Sequence, residues 1–360
     1  MAWFLRQQPM SGVAAAVSVA LRLLPLWLLL YQLPVCLAFG TPTSLERIKQ
    51  TLTFPDSQTG VTVHLVGSMH YNPHSIARTT GIIKSYGEAG DLGAVVVEQC
   101  PTRWEKVFEL HPKGTLLRAV LDNEMQAAAE TAEDFGSPLI LGDEEIETVD
   151  QRVRAAFVQT TKDLFNPLGG GWKDILVDVQ RAYTEAIDPS LSRKGGGEGN
   201  EQYLSLVDLL DPSLLLSSPV SFFRYPLAIL IKAPVQGLAL LGILTFLTLN
   251  GPAELLSDTS TVGNMSPFQF AIEMLEGAAA FTLETVFVAR VFLTVLLVDR
   301  NEVLARNIRA ECLRLAGEAS RGGGGWWGKT SRTDKVCVAV LGMAHCNGVK
   351  GLLVEKESRV

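Results

Sequence analysis

The sequence is poor in histidine and cysteine, with five of each among 360 residues. No two cysteines stand at C-x-x-C spacing, which excludes a zinc knuckle and a dithiol redox motif. There is no basic surplus either: 31 Lys and Arg stand against 38 Asp and Glu, a formal net charge of −7. That balance argues for no nucleic-acid partner, because such a surface needs a basic stripe. A phosphate-cradling glycine loop is also missing; "RKGGGEGN" at 193–200 has neither the preceding strand nor the spacing and reads as a surface loop. What the chain has in quantity is apolar side chain: 47% hydrophobic against 19% charged, enough that membrane contact has to be weighed.

The opening segment lacks acids altogether, with Arg6 and Arg22 but no carboxylate before Glu46. Its apolar stretch ends in "VCLA", with Cys36 and Ala38 at the −3 and −1 positions of a cleavage site. Residues 1–38 therefore read as a signal sequence, the alternative being an uncleaved anchor. The Phe39 that leads the processed chain, and the Thr- and Ser-containing stretch after it, resemble bipartite plastid presequences of algae with secondary plastids, so 39–60 reads as presequence or linker. Entry into the secretory route is expected, with plastid or endomembrane as destinations. Cys100, Cys312, Cys337 and Cys346 remain after cleavage, and spacing selects no disulfide among them.

From residue 61 to 142 the pattern alternates strand and helix. A β-branched run at 61–66 precedes a helix opened by Ser75 and closed by Gly87 and Gly90; "AVVVE" at 94–98 reads as a strand buried on both faces. A helical stretch and a short strand at 138–141 follow, and a last strand is expected at 335–341. This predicts an α/β fold with a parallel-rich central sheet, flanking helices, and a helical insertion containing a hydrophobic hairpin. Residues 61–187 form the first half, 188–265 the loop and insertion, and 266–360 the long helices and closing strand. Residues 227–249 are long enough to span a bilayer with one charge, Lys232, but Pro226 and Pro234 interrupt them. The only second span available, 277–298, carries Glu284 and Arg290. A hairpin packed on the domain, on a second copy in a homo-oligomer, or shallowly on a membrane surface is preferred to a true crossing.

"VTVHLVGSMH" and "VCVAVLGMAH" share one design: a buried strand, then Gly-x-x-His. His70 and His345 follow the first and last strands, Glu98 ends the second, and Asp143 follows the third. Parallel strands present their carboxyl ends on one edge, where sites form. Gly67 and Gly342 are expected to let the backbone turn sharply there. Two imidazoles and a carboxylate suit a hydrolytic divalent ion such as zinc, manganese or cobalt, with a bound water as nucleophile. Glu98 serves as third ligand or as general base. Asp143 would orient a His or an Arg, and Arg103 and Arg300 would bind an anionic group or a tetrahedral oxyanion. The bland reading pairs Glu98 with Arg103, its nearest cation in sequence, and leaves each His a loop residue, as expected for His64, His74 and His111.

These residues carry a family resemblance. "HLVGSMHYNPHSIARTTGIIKSYGEAGDLGAVVVEQCPTR" resembles the signature of the TraB/PrgY family, which includes the TIKI metalloproteases, through Gly67, His70, Ser75, Glu98, Cys100 and Arg103. "LGDEEIETVDQR" is similar to the family's L-G-D-R element through Gly142, Asp143 and Arg152. "VDRNEVLARNI" contributes Arg300, Asn301 and Ala305, and "LGMAHCNGVKG" contributes Gly342, His345 and Gly348. Ser68 and Met69 stand where the family has Thr-Ala, Glu144 where it has Arg, and Asp299 where it has Glu. The resemblance implies a TIKI/erythromycin-esterase-like α/β fold and a metal-dependent, peptidase-like hydrolase acting on a peptide or small molecule. Other members are membrane-associated or pheromone-shutdown regulators, so a non-catalytic binding role is the alternative. The leader yields its own prediction: N-terminal sequencing of the purified protein finds Phe39, and a majority of chains retaining Met1 overturns the targeting reading.

Overall fold

The computed structural model describes residues 50–186, 211–232, 289–322 and 334–354, with isolated positions between them. The signal sequence at 1–38, the loop at 193–200, almost all of 233–288 and the glycine-rich linker at 323–333 lie outside the described residues. Every element below belongs to the unit Lys49–Val360.

The strands are β1 (Thr51–Pro55), β2 (Thr62–Ser68), β3 (Leu92–Val97), β4 (Leu139–Leu141) and β5 (Val336–Gly342). They form one sheet in the order β1-β2-β5-β3-β4, parallel except for β1, which pairs antiparallel with β2. The expected α/β architecture is therefore present. β1 lies inside the stretch read as presequence or linker, so the folded body starts before residue 61. Nothing in "TLTFP" separates a strand from a linker until β2 supplies its ladder; Thr53 faces His64 in that register.

Each strand alternates between two apolar layers, as a sheet covered on both faces requires. Leu65, Val96, Cys337, Ala339 and Leu341 face a layer formed by α8 (Arg300–Gly322) and α9 (Met343–Val354), through Leu304, Ile308, Val349 and Leu353. Val66, Val95, Val97, Val338 and Val340 face the other layer, which takes Ile82 and Ile83 from α1 (Pro73–Ala89) and Met125, Ala128 and Ala132 from α4 (Glu124–Asp134). Between these elements lie α2 (Pro101–Leu110), α3 (Leu116–Val120), α5 (Ile146–Leu164), α6 (Gly171–Ala186) and α7 (Pro212–Lys232). A π-helical stretch, Phe292–Asp299, runs into α8.

α1 begins two residues before the expected Ser75. Asn72 caps it, accepting from the amides of His74 and Ser75, and Pro73 needs no such partner. The Ser75 hydroxyl instead accepts from the Met69 amide at 3.1 Å and so fixes the turn that carries His70.

α7 is the one helix among the described residues long and apolar enough to cross a membrane, with mean hydropathy 1.6. Its polar ties run to the domain: the Ser217 hydroxyl donates to Asn72 at 2.9 Å, and Lys232 donates to the Tyr71 phenol at 3.1 Å. Arg290 behaves alike, bound at 2.5 Å to both Asp163 on α5 and Asp178 on α6. The charge that made 277–298 a poor span thus has two carboxylate partners within the fold.

His64 is buried on β2, with Nδ1 on the Thr53 hydroxyl at 2.9 Å and Nε2 without a partner among the described residues. Burial pushes its pKa down to about 4. A histidine lowered in the folded state stabilises the fold fully above its unfolded pKa near 6.5, and that contribution is lost as pH falls through about 4. Urea unfolding should show wild-type stability falling by about 3 kcal/mol over this window. His64→Gln should flatten the dependence; an unchanged slope in the variant assigns the acid sensitivity elsewhere.

Candidate active site

All four polar strand ends meet at the carboxyl edge of the sheet. β2 exits through Ser68, whose hydroxyl donates to the Leu341 carbonyl of β5 at 3.0 Å. Two residues on, His70 Nδ1 lies 2.5 Å from Glu124 Oε1, and the Tyr71 amide donates to Glu124 Oε2 at 3.1 Å. Glu124 is fully buried at the first residue of α4, where a carboxylate also suits the helix dipole. β5 exits through Gly342 into α9, which carries His345, and His345 Nδ1 lies 2.7 Å from Asn301 Oδ1 on α8.

Glu98 lies at the centre. Its Oε2 accepts the Gly342 amide at 2.6 Å, and its Oε1 accepts Arg300 at 2.6 Å and stands 3.4 Å from His345 Nε2. Burial alone would raise its pKa, but His345, Arg300 and His70 together hold it well below the usual carboxylate range. Asp143 takes the same guanidinium, from Nε at 3.0 Å and Nη2 at 2.5 Å, and also pairs with Arg103. Glu98 and Arg103 are therefore not the local pair that sequence proximity suggested. Arg103 reaches forward to Asp143 and Cys100, and the partner of Glu98 comes from α8, far along the chain.

The two glycines do not work as expected. Neither Gly67 nor Gly342 adopts a positive φ, so neither is required for a left-handed turn. Their neighbours are close instead, more tightly at Gly67 than at Gly342. A Cβ on Gly67 would sit 2.9 Å from Met343 and 3.1 Å from the Gln50 carbonyl. A Cβ on Gly342 would project among Glu98 Oε2 at 3.3 Å, His70 Nε2 at 3.5 Å and His345 Cδ2 at 3.7 Å. The left-handed residue is Tyr71, at φ 61°, directly after His70.

Both rings thus have Nδ1 against a side-chain oxygen, and His70 Nε2 makes no hydrogen bond among the described residues. Burial alone would lower the His70 pKa; Glu124 outweighs it and, with Glu98, pushes it up to about 9. Among the described residues no three His, Cys, Asp or Glu side chains already stand as a ligand set for a metal ion. Glu98 is engaged by Arg300, the Gly342 amide and His345 Nε2, which leaves His70 Nε2 as the unengaged ring nitrogen facing the cradle. His64, His74 and His111 lie outside this group: His64 bonds Thr53, His74 bonds Arg78, and His111 is buried at the end of α2. A cavity of about 310 Å³, lined by Arg152, Asp178, Arg290 and Asp299 among others, contains none of the four strand-end groups.

Sequence reasoning passed over Glu124. The only signal was an acid directly after Asn123, opening an alanine-rich run, which reads equally well as ordinary helix capping. Compared with known proteins, the chain matches no family model and no curated relative.

Proposed function

We propose that the chain is a metal-dependent hydrolase of the TraB/TIKI type, acting on a peptide or small-molecule amide or ester bond. One observation carries this reading: His70, Glu98 and His345 converge around the missing Cβ of Gly342. The donor chemistry fits a hydrolytic ion. Metal-bound histidines commonly have their second nitrogen on an oxygen acceptor, and Glu124 and Asn301 supply such acceptors here. His70, after giving up the Nε2 proton that its carboxylate neighbours favour, and His345 would hold the ion through Nε2, with Glu98 as third ligand or as base beside the water. When bound, zinc, manganese or cobalt supplies a Lewis acid and a water of lowered pKa.

The remaining work falls to the chain's own groups. Glu98 is kept ionised at neutral pH by His345, Arg300 and His70, which suits a metal ligand and makes it a weak base unless the water beside it is acidified. Arg300 holds it in place and presents a fixed positive charge beside it, suited to stabilising developing negative charge on a tetrahedral oxygen. Arg103 and Asp143 brace that guanidinium, and Glu124 and Asn301 fix the two rings.

Metal analysis and turnover of the full chain test this together. His70→Ala and His345→Ala should each strip most of the bound metal, since two protein ligands make a weak site. Glu124→Gln should weaken metal binding about 10- to 100-fold through loss of the ring's acceptor. Glu98→Gln should lower kcat/KM by about 100-fold or more; retained metal then assigns Glu98 as base, and lost metal assigns it as ligand. Folded His70→Ala and His345→Ala proteins with unchanged metal overturn the proposal. Bound metal without turnover of any peptide or ester points instead to a binding or regulatory protein.

A further inference from the structure

Lys232 is the only charge in the apolar run 227–249, and it ends α7 beside the strand-end groups. Its ammonium donates to the Tyr71 phenol at 3.1 Å and lies 5.7 Å from the centre of that ring. It forms no ion pair with any carboxylate among the described residues. The charges that act on it are Arg103, which repels it, and Glu124, which attracts it. Both Glu124 oxygens are already engaged, by His70 and the Tyr71 amide. Arg103 is paired with Asp143, whereas Lys232 has no carboxylate partner among the described residues.

Tyr71 is held for this contact. Its left-handed φ of 61° is uncommon for a large side chain and persists only where neighbours impose it. Here the Glu124 bond to its amide and the edge-on Tyr225 ring, 6.0 Å away on α7, do so. Because its oxygen accepts from Lys232, the phenol's own proton is left to donate. An ammonium and a phenol O–H side by side, next to an acyl-transfer centre, suit one ligand chemistry: a carboxylate.

We propose that Lys232 and Tyr71 form a subsite for a substrate carboxylate, so that the substrates are peptides with a free C-terminus or N-acyl amino acids. This rests on the hydrolase reading for its turnover, though not for its binding. Two matched pairs of probes separate the two. Benzoyl-glycyl-phenylalanine and its C-terminal amide report turnover by the full chain; 3-phenylpropanoate and 3-phenylpropanamide, which offer no peptide bond, report binding by NMR titration.

The acid should be preferred over the amide about tenfold or more in kcat/KM, mainly through KM, as expected for a hydrogen bond to a charged group. 3-Phenylpropanoate should bind and its amide should not. Lys232→Gln should abolish both preferences by weakening the acid far more than the amide, and Lys232→Arg should restore much of the preference for the acid. Equal handling of acid and amide by the wild-type protein overturns the subsite without any variant. A Lys232→Gln protein weakened equally toward both also overturns it and assigns Lys232 a structural role. Lysine-dependent binding of 3-phenylpropanoate with no turnover of either peptide sinks the hydrolase reading and leaves the subsite standing.

Discussion

The Glu98 carboxylate is the constraint on which the rest of the site depends. A buried ionised group costs several kcal/mol unless charge and hydrogen bonds surround it. Each group that meets this demand comes from a different part of the fold: the Gly342 amide from the end of β5, the Arg300 guanidinium from the start of α8, and His345 from α9. Arg300 in turn holds Asp143 just past β4. One carboxylate thus ties strand exits whose residues lie hundreds of positions apart. That arrangement crowds position 342, where a Cβ would lie 3.3 Å from Glu98 Oε2 and within 3.7 Å of both rings.

Much of this was legible because it follows from period and polarity. Fully apolar strands such as "AVVV" need cover on both faces, and polar groups just beyond such strands gather on one edge whatever their sequence separation. His70, Glu98, Asp143 and His345 were found by that reasoning alone. Partnerships were not legible. Nothing local tells Arg103 to choose Asp143 over Glu98, or Arg300 to bridge both, because those choices depend on helix docking. Glu124 was hidden for a related reason: at a helix start, an acid serving a distant imidazole and an acid serving the helix dipole have the same sequence. β1 was missed because an edge strand of five residues has no pattern of its own.

The apolar helices illustrate a second limit. Hydropathy describes α7 and the stretch before α8 as membrane-like, yet both carry cations with partners in the fold: Arg224 and Lys232 on α7, and Arg290 before α8. Arg290 is clamped by two aspartates from different helices, whereas Lys232 meets only a phenol. Averaged over a window the two cations look alike; their partners give them different roles. Arg290 joins α5 and α6 to the π-helical stretch, and Lys232 brings positive charge to the edge where chemistry is concentrated. Outward, α7 leaves Leu216, Phe222 and Phe223 exposed, so the helix joins an apolar outer surface to a polar inner site.

The sheet order also governs when the protein becomes itself. β5 lies between β2 and β3 and pairs with both, although it is the last of the described strands to be made. Until it inserts, β2 and β3 have no ladder between them, Glu98 has no amide from Gly342, and His345 is not yet in place. Long-range pairing of this kind is slow and leaves strand edges open while it waits. During synthesis, the early half of the chain would be two sheet fragments with a gap between them, carrying a buried-type carboxylate without its counter-charges. The arrival of one seven-residue strand closes the sheet and brings the strand-end groups together in one step.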